Sequence, residues 1–123
     1  MHRLRISLLA SACAVVLAAC IGGGADCGSL PTDIELTLTA QALTPSSIAV
    51  CRGDDVTLTV DVEVSGVLHI HGYDAEVPAT NVTEGEVLEL GFSADRSGQF
   101  PIELHTDENT QGVNVGLLTV DEP

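Results

Sequence analysis

The chain has 123 residues, 18 of them acidic and only 4 Arg or Lys, for a formal charge of −14. Such a field repels nucleic acid and anionic head groups and draws cations, which excludes a nucleic-acid partner. The length suits one small domain, and with aromatics at 2% any core must be aliphatic.

The N-terminus reads first as an export signal. Met1 to Arg5 is a short basic segment, and Ile6 to Val16 is an apolar run. That run is shorter than the ~20 residues a spanning helix needs, so residues 1–19 are read as a signal peptide. Leu17-Ala18-Ala19-Cys20 resembles the lipobox of bacterial lipoproteins. The resemblance implies cleavage before Cys20 and a lipid on its thiol. It also implies a domain held by that anchor outside the cytoplasm, in the periplasm or on the cell surface. Ile21-Gly22-Gly23-Gly24 continues as a flexible tether, so residues 20–32 form the lipidated cysteine and its linker.

Cleavage there leaves 104 residues with no lysine, and Arg52 and Arg96 against all eighteen carboxylates, a charge of −16. A solvated acidic surface explains much of that charge by itself. Cys13 departs with the signal and Cys20 carries lipid, so Cys27 and Cys51 remain. An even pair in an exported domain favours a disulfide, closing a loop worth ~3 kcal/mol on an entropic account. Two free thiols or metal ligands are the alternative.

From residue 33 to 123 the pattern is β throughout. Ile34, Leu36 and Leu38 alternate with polar residues, as a strand with one buried face requires. Thr44-Pro45-Ser46-Ser47 reads as a turn, Ile48 to Cys51 as a short strand, and Arg52-Gly53-Asp54-Asp55 as a second turn. Val56 to Val64 alternates almost perfectly. Ser65-Gly66 then turns the chain into Val67 to His71. Leu88, Leu90 and Phe92 mark the next strand, Phe100, Ile102 and Leu104 another, and Val113 to Val120 the last. Seven or so short strands without a helical run predict an all-β Greek-key β-sandwich.

After the signal, histidine occurs at positions 69, 71 and 105 alone. Residues two apart on a strand share a face, so His69 and His71 project together, opposite Leu68 and Ile70. His105 follows the strand ending at Leu104. If the two strand ends are neighbours, His69, His71 and His105 form a three-histidine site, and imidazole suits Cu(II), Zn and Ni. A carboxylate such as Glu103, Asp74 or Asp107, or a water, would complete it; Glu103 is expected on His105's face only at a kinked strand. The plainer reading is a turn in which His71 hydrogen-bonds Asp74 or a carbonyl and no metal is held.

Two stretches carry a family resemblance. Leu68-His69-Ile70-His71-Gly72-Tyr73-Asp74, with Phe92-Ser93-Ala94-Asp95-Arg96-Ser97-Gly98-Gln99-Phe100-Pro101-Ile102-Glu103-Leu104, resembles the cupredoxin-like domains of bacterial lipoproteins. The resemblance runs from about Val50 to the C-terminus and implies a copper-binding fold, with His71 similar in position to the first copper histidine. The family's cysteine position falls on Leu104, and no methionine follows Met1. Blue copper needs a thiolate, so the implied centre is type-2-like. Capture, buffering or delivery of copper is the expected role; a metal-free interaction module serving a membrane protein assembly is the alternative. With no G-x-S-x-G elbow and no phosphate-cradling glycine loop, the chain is expected not to be an enzyme.

Overall fold

A computed structural model describes Cys27 and residues 32–123. The expected signal peptide (1–19), Cys20 and most of the tether lie outside the described residues. Nine strands follow in chain order, and among the described residues there is no helix. They are β1 (Thr32–Leu38), β2 (Leu43–Thr44), β3 (Ser47–Cys51), β4 (Asp55–Val62), β5 (Gly66–Ile70), β6 (Thr80–Val82), β7 (Val87–Ser93), β8 (Gly98–His105) and β9 (Val113–Asp121). The expected count was about seven. The two extra strands, β2 and β6, span two and three residues, too short to show an alternation.

The strands form two sheets, β2-β1-β4-β7 and β3-β9-β8-β5-β6. β1 runs parallel to β4 and β3 parallel to β9, while the other pairs are antiparallel. The chain crosses between sheets after β2, β3, β4, β6 and β7, which stacks the two layers as a sandwich. Period-two alternation sends one set of side chains inward from each layer. Leu36, Leu38, Val56, Leu58, Val60 and Val62 meet Ile48, Val50, Leu68, Ile70, Ile102, Leu104, Leu118 and Val120 in one aliphatic core. A disulfide joins Cys27 to Cys51 across a Cα–Cα distance of 5.4 Å. It ties the linker to the end of β3, where the buried Asp54 accepts from the Cys51 N–H at 2.9 Å.

Candidate metal centre

Because Leu68, Ile70, Ile102 and Leu104 face the core, their neighbours must face outward. Val67 and His69 of β5 therefore share the outer surface of the five-stranded sheet with Pro101, Glu103 and His105 of β8. Register then decides which of them meet: His69 stands opposite Glu103, and Val67 opposite His105. Glu103 Oε2 lies 3.9 Å from His69 Nδ1, 3.7 Å from His105 Nε2 and 4.0 Å from His71 Nδ1. Ligand atoms of His69, Glu103 and His105 all lie within 4.8 Å of one another. Two atoms each ~2.1 Å from one ion cannot be more than ~4.2 Å apart, a limit that Glu103 Oε2 meets with both His69 Nδ1 and His105 Nε2.

The arrangement differs from a meeting of strand ends. β5 and β8 are antiparallel, so the ends carrying His71 and His105 lie at opposite ends of their ladder. His71 sits beyond β5, its N–H donating to the Pro101 carbonyl at 2.8 Å. The three imidazoles are strung along a diagonal, with Glu103 between them. His71 remains at the rim, its side chain 67% exposed against 22% for His69 and 34% for His105. The expectation that Glu103 needs a kinked strand is corrected. Residues two apart share a face in any regular strand, and β8 alternates regularly through Ile102, Glu103, Leu104 and His105. The irregularity falls on β9, where Val115 is the extra residue between the partners of Ile102 and Glu103. Asp107 is exposed in the β8–β9 loop and outside the trio.

The other ring nitrogens explain the orientation of the two histidines. His69 Nε2 is 2.5 Å from Asp74 Oδ1. His105 Nδ1 is 3.1 Å from the Thr110 carbonyl oxygen. A carboxylate and a carbonyl only accept, so each of those nitrogens carries the proton. In the neutral imidazoles the remaining nitrogens, His69 Nδ1 and His105 Nε2, hold lone pairs and face the Glu103 carboxylate. Two lone pairs and an anion at less than 4 Å repel unless a cation lies between them. Thr110 and Gly112 escaped the sequence reading because their roles depend on a loop conformation; Asp74 entered it as a ligand or as a hydrogen-bond partner of His71, whereas it binds the far side of His69.

The two resembling stretches meet beside this centre. Tyr73 is fully buried and packs on Phe100 at 4.5 Å and Phe92 at 5.9 Å between ring centroids. The Arg96 guanidinium lies 5.0 Å from the Tyr73 ring centroid and donates to the Gly72 carbonyl at 2.5 Å. It also donates to both oxygens of Glu76, at 2.7 and 3.0 Å. Those bonds hold the Glu76 carboxyl below the usual carboxylate range and raise the Arg96 pKa. Burial pushes the Tyr73 phenol up. Arg52, the other arginine of the β-domain, pairs with Glu122 at 2.9 Å, so neither cation faces the histidines.

Comparison with known proteins places the fold. No protein-family model and no curated protein matches the sequence. Among solved structures, a blue copper oxidase from Nitrosomonas europaea matches with a TM-score of 0.56 and 18% identity, over 75% of this chain and 39% of its own. A copper nitrite reductase from the same organism matches with 0.57 and 19%, over 75% of this chain and 42% of its own. The multicopper oxidase Fet3p, which functions in iron import, gives 0.56 and 15%, over 74% and 23%. This chain folds as a cupredoxin-like domain. It spans less than half the length of each of those proteins. The comparison corrects the expectation of a non-enzymatic chain: the domains sharing this fold belong to oxidases and a reductase, so the fold gives no ground for setting catalysis aside. Leu104, where the sequence resemblance placed a cysteine, is fully buried and turned into the core, away from His105. The trio thus contains imidazole and carboxylate and no sulfur.

Proposed function

We propose that this chain is a lipid-anchored, extracytoplasmic cupredoxin-like domain that binds copper or a similar transition-metal ion. His69, Glu103 and His105 are the ligands, with His71 at the rim as a fourth donor. The observation that carries the reading is the pair of imidazole nitrogens, His69 Nδ1 and His105 Nε2, that face one carboxylate, each ring held from behind by an acceptor. Nitrogen and oxygen donors suit Cu(II), Zn and Ni, and the missing thiolate argues for a type-2-like centre. The acidic surface raises the local cation concentration. Export and the anchor at Cys20 rest on the lipobox resemblance and set the domain where metal arrives from outside. Capture, buffering or delivery is the role that a part-exposed site on an open sheet face best serves.

The test is calorimetric titration of Cu(II) into residues 20–123 with Cys20→Ser, beside a His69→Ala/His105→Ala double variant. One-to-one binding tighter than ~1 μM, lost in the variant, is the expected result. Weak heat shared by both proteins would mean diffuse collection by surface carboxylates, and the domain would then stand as a metal-free interaction module. Redox turnover by the copper-loaded protein separates an ion that is carried from one that is used.

A further inference from the structure

His69 offers two nitrogens, and the turn after β5 has already engaged one. That turn is held at several points. Tyr73 N donates to the Ile70 carbonyl at 3.0 Å, and Val77 N to the Tyr73 carbonyl at 2.9 Å. The Tyr73 ring is anchored in the core, Arg96 grips the Gly72 carbonyl, and Glu76 is bound to the same guanidinium. Asp74 lies between these fixed points. Its side chain is 58% exposed, so the fold does not need it for packing. Its carboxylate nevertheless reaches His69 Nε2 at 2.5 Å.

We propose that Asp74 is a positioning residue that keeps the proton of His69 on Nε2 and thereby presents Nδ1 to the metal, with the Arg96-bound turn as its mount. The inference rests on the metal reading above and specifies how that site is built. A histidine ligand whose distal N–H is bound to a carboxylate is fixed in ring orientation and made a stronger base. The other nitrogen of His69 faces Glu103 at 3.9 Å, so the nitrogen that Asp74 leaves open is the one directed at the trio. His105 is held in the same sense by the Thr110 carbonyl, with the roles of its nitrogens exchanged. An aspartate bound to Nε2 also blocks that atom from taking metal in an inverted geometry.

Two measurements test this on the described domain with its linker. In the metal-free protein at pH 8, nitrogen-15 NMR should show the Nε2–H tautomer of His69, with a resolved, slowly exchanging N–H proton. Asp74→Ala should lose that protection, and Asp74→Asn, which keeps an acceptor oxygen, should retain it. A wild-type His69 protonated on Nδ1, or an N–H exchanging equally fast in wild type and Asp74→Ala, overturns the proposal whether or not metal binds. In titrations with Zn(II), Asp74→Ala should weaken binding ~10–100-fold, with Asp74→Asn recovering most of the loss and Nδ1 remaining the metal-bound nitrogen. Equal affinity in wild type and Asp74→Ala also overturns it. Absence of Zn(II) and Cu(II) binding in the wild type defeats the metal reading alone, because the tautomer measurement needs no metal.

Discussion

Gly112 links backbone conformation to the metal centre, and replacing it by alanine separates two effects. Its φ is +88°, and a Cβ there would stand 2.7 Å from His105 Cε1, 3.0 Å from Nε2 and 3.2 Å from Nδ1. The left-handed backbone alone costs an L-residue roughly 1–2 kcal/mol. The Cβ also has to push the imidazole off its seat, away from the Thr110 carbonyl that fixes its proton and out of line with Glu103. Losing an orienting partner of a ligand lowers metal affinity ~10–100-fold. Gly85 supplies the control, with φ +89° and nothing within 4 Å of an added Cβ. Gly85→Ala should lose a similar ~1–2 kcal/mol of stability and bind Cu(II) as the wild type does. Gly112→Ala should lose at least as much stability and its affinity as well. Urea unfolding reads the first effect and calorimetric titration the second. Equal Cu(II) affinity in the two variants would refute the placement of His105 in the site.

Two further outcomes follow from the aromatic clamp. Because its folded pKa is depressed by Arg96, Glu76 contributes stability that is present above the ordinary carboxylate value and lost as pH falls through the folded value. The metal-free protein should therefore lose stability below about pH 4, and Glu76→Gln should flatten that loss; unchanged slopes in urea midpoints between pH 7 and pH 3 would refute the pairing. Tyr73→Ala empties a fully buried site against Phe92, Phe100 and Arg96. It should cost about 3–5 kcal/mol in the same assay, and a cost below ~1 kcal/mol would show that the clamp does not anchor the turn.

The lone-pair arrangement also accounts for the position of Glu103. With both imidazoles neutral its carboxylate faces two nitrogens that hold lone pairs and do not donate to it, so the surrounding strands and loops hold that form of the site together. A bound cation converts that repulsion into attraction. Occupancy should fall on acidification, since metal and proton compete for the same lone pairs.

Alternation along the chain determined a good deal. Period-two patterns in Ile34 to Leu38, Val56 to Val64, Leu88 to Phe92 and Phe100 to Leu104 are local properties of a pleated strand, and they located strands of both layers. The same rule turned His69 and His71 away from the core, and the cysteine count pointed to the Cys27–Cys51 bond. Tertiary structure alone decided what those outward residues meet. Register is a property of two strands far apart in sequence, and a shift of one residue reverses every face. The pairing of His69 with Glu103 therefore could not be read from either strand by itself. Nor could the separation of His71 from His105, which follows from antiparallel pairing rather than from any residue between them. The tautomers are settled later still, by an aspartate in one turn and a carbonyl in another. Each reaches its histidine across five residues, but only because the core holds Tyr73 beneath one turn and Gly112 leaves room for an imidazole in the other.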